Sequence, residues 1–210
     1  MLPVAALLLG AAGVAFFTFG RVDLPVIGGK VPEVAYDAYR AASAASTAIT
    51  EICEVDWTIL AGIGQVESRH GRIDASHDLA ADGQVTPLIR GRPLDGTNGT
   101  QTIPDTDEGE FDGDPVWDRA MGPLQFIPTT WTELGRDGNH DGVADPDNLY
   151  DAALTAAAHL CLREPGDYEV REQLRRALIA YNASGEYADD VLEWIDRYSS
   201  RPLEEVLEAG

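Results

Sequence analysis

Apolar residues recur every three to four positions in six stretches of this 210-residue chain, and one long stretch between the second and third keeps no period. Such recurrence gathers apolar side chains on one face of a helix. An Ala-rich segment runs from Pro32 to about Ile49, with the proline suited to a first helical position. The second helix is expected behind Asp56, a good N-cap, with Leu60, Ile63 and Val66 on its stripe and His70 and Gly71 closing it. The third opens at Pro128 and stops at Gly135. The fourth follows Asn148, with Leu149, Ala152, Ala153, Ala156 and Leu160 facing in. Val170, Leu174, Leu178 and Tyr181 mark the fifth, and Val191, Ile195 and Tyr198 the last. The ending LEEVLEAG is acidic and is expected to fray.

From Arg72 to about Ala120 the period disappears, and Gly, Asp, Pro and Thr dominate. Short pieces such as QVTPLI suit small paired strands. A connection this long inside a compact domain is usually functional or disordered. Here it separates two candidate site motifs, which favours an ordered insertion lining a cleft. The fold expected is mainly α, with one irregular polar insertion.

Composition adds a compartment and excludes some partners. Residues 1–20 carry no charged side chain and are long enough to span a bilayer. A buried core helix is the competing reading, but the run is too uniform and too terminal for one. Residues 1–20 therefore read as a transmembrane anchor or a signal peptide, with a linker over 21–31. The rest of the chain is then expected outside the cytoplasm, held at the membrane by that segment if it is not cleaved. Acids outnumber bases 36 to 15, a formal net charge of -21. That excludes nucleic acid, whose phosphates need a basic footprint. It suits a neutral or cationic ligand, a divalent metal, or simple solubility. Cys53 and Cys161 in an exported chain most simply form a disulfide, two free buried thiols being the alternative.

The candidate chemistry starts at Glu67. It lies a turn beyond Ile63 and two turns beyond Leu60, so a carboxylate rides on the apolar stripe. Burial disfavours its charged form and raises its pKa. A carboxylic acid still protonated at neutral pH is what a general acid requires. A core Glu neutralised by a salt bridge is the competing reading. Gly62 and Gly64 lean toward function, since each leaves room for a sugar chain or a neighbouring helix.

Three pieces, GIGQVESRHG, DRAMGPLQFIPTTW and LIAYNAS, follow in the order found in the lytic murein transglycosylases, lysozyme-like enzymes that cleave peptidoglycan. The chain resembles that family over about residues 32–199, and most of all its membrane-bound B-type branch. Glu67–Ser68, the Gly-x-x-Gln element Gly122–Gln125 and the triplet Ala180–Asn182 carry the likeness. One departure is Leu124, where family members often have Met before the Gln. The resemblance implies a lysozyme-like domain over 32–200 with an acidic tail over 201–210. It implies Glu67 as the sole acid and base, cutting glycan strands between N-acetylmuramic acid and N-acetylglucosamine with formation of a 1,6-anhydro sugar and with no cofactor for catalysis. Ser68 would support Glu67 by a hydrogen bond, and Gln125, Phe126, Tyr181 and Asn182 would line the substrate cleft. The alternatives are a hydrolytic muramidase using a second carboxylate, for which the acidic run Asp105–Asp114 offers candidates, and a calcium-stabilised glycan-binding protein without turnover.

A second motif is DGNHDGVADPDNLYD. Asp137, Asn139 and Asp141 take positions 1, 3 and 5 of an EF-hand-like loop, Gly142 the sharp turn, the Val143 carbonyl position 7 and Asp145 position 9. Asn148 stands at position 12, where a bidentate Glu is expected, and an amide cannot supply two anionic oxygens. The B-type resemblance suggests that Asp151 closes a slightly longer loop. The ion expected is a structural calcium, with a plain Asp-Gly turn as the alternative. Trp57, Trp131 and Trp194 sit on helical faces and read as core, and Trp117 is the better candidate for stacking on a sugar. His159 reads as a core or helix-surface histidine.

Overall fold

The computed structural model describes residues 29–50 and 52–208. The apolar run 1–20 and the linker as far as residue 28 lie outside the described residues. Among the described residues, no helix is long and apolar enough to cross a membrane.

Among the described residues, seven helices and one small hairpin follow in the order α1 (Glu33–Ser46), α2 (Trp57–Ser68), β1 (Asp78–Leu79), β2 (Val85–Thr86), α3 (Pro128–Leu134), α4 (Leu149–Arg163), α5 (Arg171–Tyr181), α6 (Gly185–Ser199) and α7 (Leu203–Val206). The fold is mainly α, as the periodicity requires. Helix α4 is its centre: eleven of its fifteen residues are buried, so it is covered on nearly every side. Alanines at 152, 153, 156 and 157 give it a smooth surface, and α1 lies along it through Ala35, Ala38 and Ala42. Small side chains on both helices let the two axes approach closely. The Cys53–Cys161 disulfide ties the approach to α2 to the far end of α4. Closing a loop across a separation of 108 residues restricts the unfolded chain by about 4–5 kcal/mol in the chain-entropy account.

Helix α2 opens at Asp56, whose carboxylate accepts from the Thr58 amide at 2.8 Å. It lies between α1 and α6. The two glycines of its middle are explained by these neighbours. A methyl group at Gly62 would sit 3.0 Å from Ile195 and 3.1 Å from the Val191 carbonyl of α6, and one at Gly64 would sit 2.0 Å from the Tyr39 hydroxyl of α1. Of the two uses expected for these glycines, packing is the one found. The helix also closes differently from expectation. Arg69, not Gly71, is the C-cap, and Arg69, His70 and Gly71 all have positive φ.

The stretch from Arg72 to Ala120 is ordered with almost no regular structure. Asp78–Leu79 pairs antiparallel with Val85–Thr86, so QVTPLI contributes one short strand. Elsewhere single bridges join Arg90 to Met121, Asp95 to Thr102 and Pro104 to Trp117. The turns between them are held by aspartates. Asp82, Asp95 and Asp114 each accept the amide two residues on, the Asx-turn geometry that substitutes for backbone pairing. Part of the acidic excess is therefore turn chemistry. Arg90 pins this stretch to the loop before α4, with both nitrogens on the Asp147 carboxylate at 2.6 and 2.8 Å.

The C-terminal segment does not fray before residue 208. Leu203–Val206 forms α7, Val206 is buried, and Val31 donates its amide to the Val206 carbonyl at 2.9 Å. Arg72 grips Glu208 with two bonds. The acidity of LEEVLEAG hid one buried valine and a strand-like partner, Val31, far away in sequence.

Candidate active site

Glu67 stands in the last turn of α2 and is 3% exposed. Burial pushes its carboxyl from 4.5 up to about 8, and the Tyr187 hydroxyl, which faces it from the first turn of α6, opposes part of that shift. One carboxylate oxygen, Oε1, is enclosed without a hydrogen-bond partner of ordinary geometry, and so is the Tyr187 hydroxyl. The group is thus protonated at neutral pH and is not neutralised by a salt bridge. Among the described residues no second carboxylate contributes to its shift.

Two clamps fix the turn that carries Glu67. The first is His70, buried and held at both ring nitrogens, Nδ1 with the Tyr39 hydroxyl at 3.0 Å and Nε2 with the Tyr198 hydroxyl at 3.3 Å. Burial lowers its pKa to about 3, so it is neutral and does not act as a cation at the helix end. The second is Ser68. Its hydroxyl donates to the Pro123 carbonyl at 2.6 Å and accepts from the Gly71 amide at 2.7 Å. The expected hydrogen bond from Ser68 to Glu67 does not form, because a hydroxyl has one proton and Pro123 takes it.

The Gly-x-x-Gln element is a tight loop beside that turn. Met121 and Phe126 exchange amide-to-carbonyl bonds of 2.8 and 3.1 Å, and Gly122 to Gln125 turn between them. Gly122 has φ 67 and passes so close to the next segment that a methyl group there would lie 1.8 Å from the Pro146 carbonyl. Gln125 also has positive φ and folds its side-chain amide back onto the Gly122 carbonyl at 2.7 Å. Tyr181 supports the loop from below, donating to the Leu124 carbonyl at 3.0 Å. Phe126 and Tyr181 are both fully buried, 5.6 Å apart between ring centres, with Trp131 and His159 completing the cluster. The resemblance places both on a cleft lining; in the structure neither exposes any surface, and Tyr181 is bonded to the loop. Asn182 follows Tyr181 at the end of α5 with its Oδ1 buried and unpartnered.

The sequence reading missed Tyr187. It stacks on Tyr181, the ring planes 3° apart and the centres 6.3 Å apart, and it faces Glu67. The signal was present: Tyr187, Val191, Ile195 and Tyr198 form one helical stripe. Of the tryptophans, Trp131 is buried, Trp57 packs between Tyr36 and Tyr198, and Trp194 packs on Tyr198. Trp117 is half-buried in the Pro104 bridge.

The acidic run is not a freely solvated loop. Asp105, Asp107 and Asp118 bring an oxygen each within 4.8 Å of one another, the group of that kind among the described residues. Burial, then repulsion from neighbouring acids, raises the carboxyls of Asp107 and Asp118. Asp114 pairs with Arg119, and Asp112 accepts the Arg119 amide. None of these acids is among the causes of the Glu67 shift.

In the EF-hand-like loop, Asp137 accepts the amides of Asp141 and Gly142, and Asn139 accepts that of Asp141. Gly142 makes the turn at φ 97. Asp151 is fully buried and closes the loop by accepting the amides of Gly138, Asn139 and Asp145. The donor set fits calcium in kind, being hard oxygens on a glycine-turned loop. It is not drawn in around a point, since no three of the carboxylates of Asp137, Asp141, Asp145 and Asp151 come within 4.8 Å.

No known family description matches the chain, and neither does any curated protein. Two solved structures are similar to it: Escherichia coli lytic transglycosylase Slt35 in complex with calcium, with TM-score 0.48 and 14% identity, and the same enzyme in complex with bulgecin A, with TM-score 0.49 and 15% identity. Each match covers 80% of this chain and 72% of the other. No residue role is carried across at that level of similarity.

Proposed function

We propose that this chain is a peptidoglycan lytic transglycosylase with Glu67 as its one acid and base. The observation that carries the reading is the enclosed Glu67 carboxyl, raised by burial to about 8, with Oε1 unpartnered and, among the described residues, no second carboxylate contributing to its shift. It joins the ordered resemblance of GIGQVESRHG, DRAMGPLQFIPTTW and LIAYNAS to that family.

Glu67 gives its proton to the glycosidic oxygen between N-acetylmuramic acid and N-acetylglucosamine, and the bond to C1 breaks with oxocarbenium-like character. The carboxylate left behind takes the proton of the muramoyl C6 hydroxyl. That oxygen closes on C1, giving a 1,6-anhydro end and restoring the acid. Tyr187 stabilises the ionised carboxylate formed midway, since its hydroxyl favours the charged form. The Gly122–Gln125 loop, Asn182 and Ser68 shape the cleft, with Phe126 and Tyr181 supporting it. A hydrolytic glycosidase needs a second carboxylate to activate water or attack carbon, and among the described residues none is a cause of the Glu67 shift, which supports the single-acid route. In the same reading a structural calcium would be held by Asp137, Asn139, Asp141, the Val143 carbonyl, Asp145 and Asp151, where it would tie α3 to α4 and take no part in the reaction. The work would be done outside the cytoplasm, where the glycan strands are.

The test is digestion of peptidoglycan by the full chain, with mass spectrometry of the products. Anhydro-ended muropeptides are expected, absent with Glu67→Gln. Reducing ends would make the protein a muramidase, and no product would make it a binder. A calcium-dependent rise in melting temperature, lost in Asp137→Asn/Asp141→Asn, checks the ion.

A further inference from the structure

A hollow of about 750 Å³ opens at the other end of α2, and Glu67 is not among its lining residues. Trp57, which lines it, is ten residues from Glu67 along the helix, or about 15 Å at 1.5 Å per residue. Its floor is apolar: Trp57, Ile59, Tyr168, Leu174 and Ile195. At its margin Ile52 is 68% exposed and Leu203 40%, two of the large apolar side chains this protein leaves in solvent. The rim has the opposite character. Glu54, Asp56, Asp167 and Glu169 line it, against one cation, Arg201. None of the four carboxylates enters an ion pair, whereas nine other acids of the described chain do.

Helix capping accounts for only part of this charge. Asp56 caps α2, and Asp167 and Glu169 precede α5. A helix N-terminus is worth about half a positive charge. Two such ends and Arg201 offset roughly two of the four negative charges, which leaves an apolar hollow under a net negative rim. Such a surface repels an anionic lipid leaflet and attracts cations, and its volume falls within the range of ligand-sized pockets. An ammonium or metal ion alone would leave the apolar floor uncovered.

We propose that this hollow docks a segment of a partner protein in which lysines or arginines flank bulky apolar side chains. The apolar side chains cover Trp57, Tyr168 and Leu174, and the cations meet Glu54, Asp167 and Glu169. The site is separate from the turn that carries Glu67, so a bound partner would hold the protein without obstructing that turn.

The test uses the full chain and blocked Lys-Leu-Leu-Lys as probe, with blocked Lys-Ser-Ser-Lys and Glu-Leu-Leu-Glu as comparisons, by titration calorimetry. A chain with this much negative charge attracts any cationic peptide, so the decisive comparison is between two variants of equal charge. Glu54→Gln/Asp167→Asn/Glu169→Gln neutralises the rim. Glu33→Gln/Asp78→Asn/Glu108→Gln neutralises three exposed, unpaired acids elsewhere. We expect the rim variant to weaken Lys-Leu-Leu-Lys by about tenfold and the control by less than about twofold, as a few exposed ion pairs allow. Lys-Ser-Ser-Lys should bind about tenfold more weakly, having no apolar side chains for the floor. Equal weakening by the two variants, equal binding of the Leu and Ser peptides, or no binding of any peptide would each overturn the proposal. Both surface variants leave the core untouched, and unchanged circular dichroism confirms that they fold.

Discussion

Replacing Glu67 by Gln removes one proton-binding group and keeps its shape, which makes the enclosed acid measurable as stability. The folded carboxyl has a pKa of about 8 against 4.5 for a free one. The folded state therefore holds the proton more tightly than the unfolded chain. That contribution is fully present below about pH 4.5 and is lost as pH rises through about 8. At about 1.4 kcal/mol per pH unit, the swing is roughly 5 kcal/mol. Two buried histidines act in the opposite sense. His70, lowered to about 3, and His159, lowered to about 4, destabilise the fold as pH falls below the ordinary histidine range. They are common to both proteins and cancel in the difference. Urea unfolding of wild type and Glu67→Gln at a series of pH values from 4 to 9 gives that difference directly. The variant should gain roughly 5 kcal/mol relative to wild type from the acid to the alkaline end, while losing all activity. A difference curve flat to within about 1 kcal/mol would mean that Glu67 ionises as freely in the fold as in water, and the general-acid assignment would fall with it.

Three further outcomes follow from the geometry. Gly64→Ala drives a methyl group to 2.0 Å from the Tyr39 hydroxyl and should cost about 1–3 kcal/mol; Tyr39→Phe in the same chain should recover part of it in a denaturation cycle. Tyr187→Phe removes a contact that holds the Glu67 carboxyl down, so the alkaline limb of the pH–rate profile should move up, with kcat reduced more than KM is changed. Cys53→Ser/Cys161→Ser should lower unfolding free energy by about 4–5 kcal/mol, read from urea midpoints under oxidising conditions.

Much of this was legible in the residues because periodicity and burial go together. Glu67 on the stripe of Leu60 and Ile63 is enclosed, and Leu149 to Leu160 form the central helix. Where the reading failed, contacts distant in sequence decided. Gly62 and Gly64 make room for α6 and Tyr39, partners that spacing within one helix cannot reveal. Ser68 bonds Pro123 across 55 positions, and Val31 bonds Val206 across the whole fold. The resemblance assigns Phe126 and Tyr181 to a cleft lining, and it cannot show that both are fully buried or that the Tyr181 hydroxyl donates to the Leu124 carbonyl. Tyr187 was hidden by its own helix, since a tyrosine on an apolar stripe reads as core until the residue opposite is known to be an acid.

The central claim is that Glu67 acts alone and closes the sugar on itself without water. Digestion of peptidoglycan in water enriched in heavy oxygen tests it most directly. The account predicts anhydro-ended products whose new termini carry no heavy oxygen. Reducing termini labelled at C1 would mean that water is the nucleophile, and the single-acid mechanism would be contradicted.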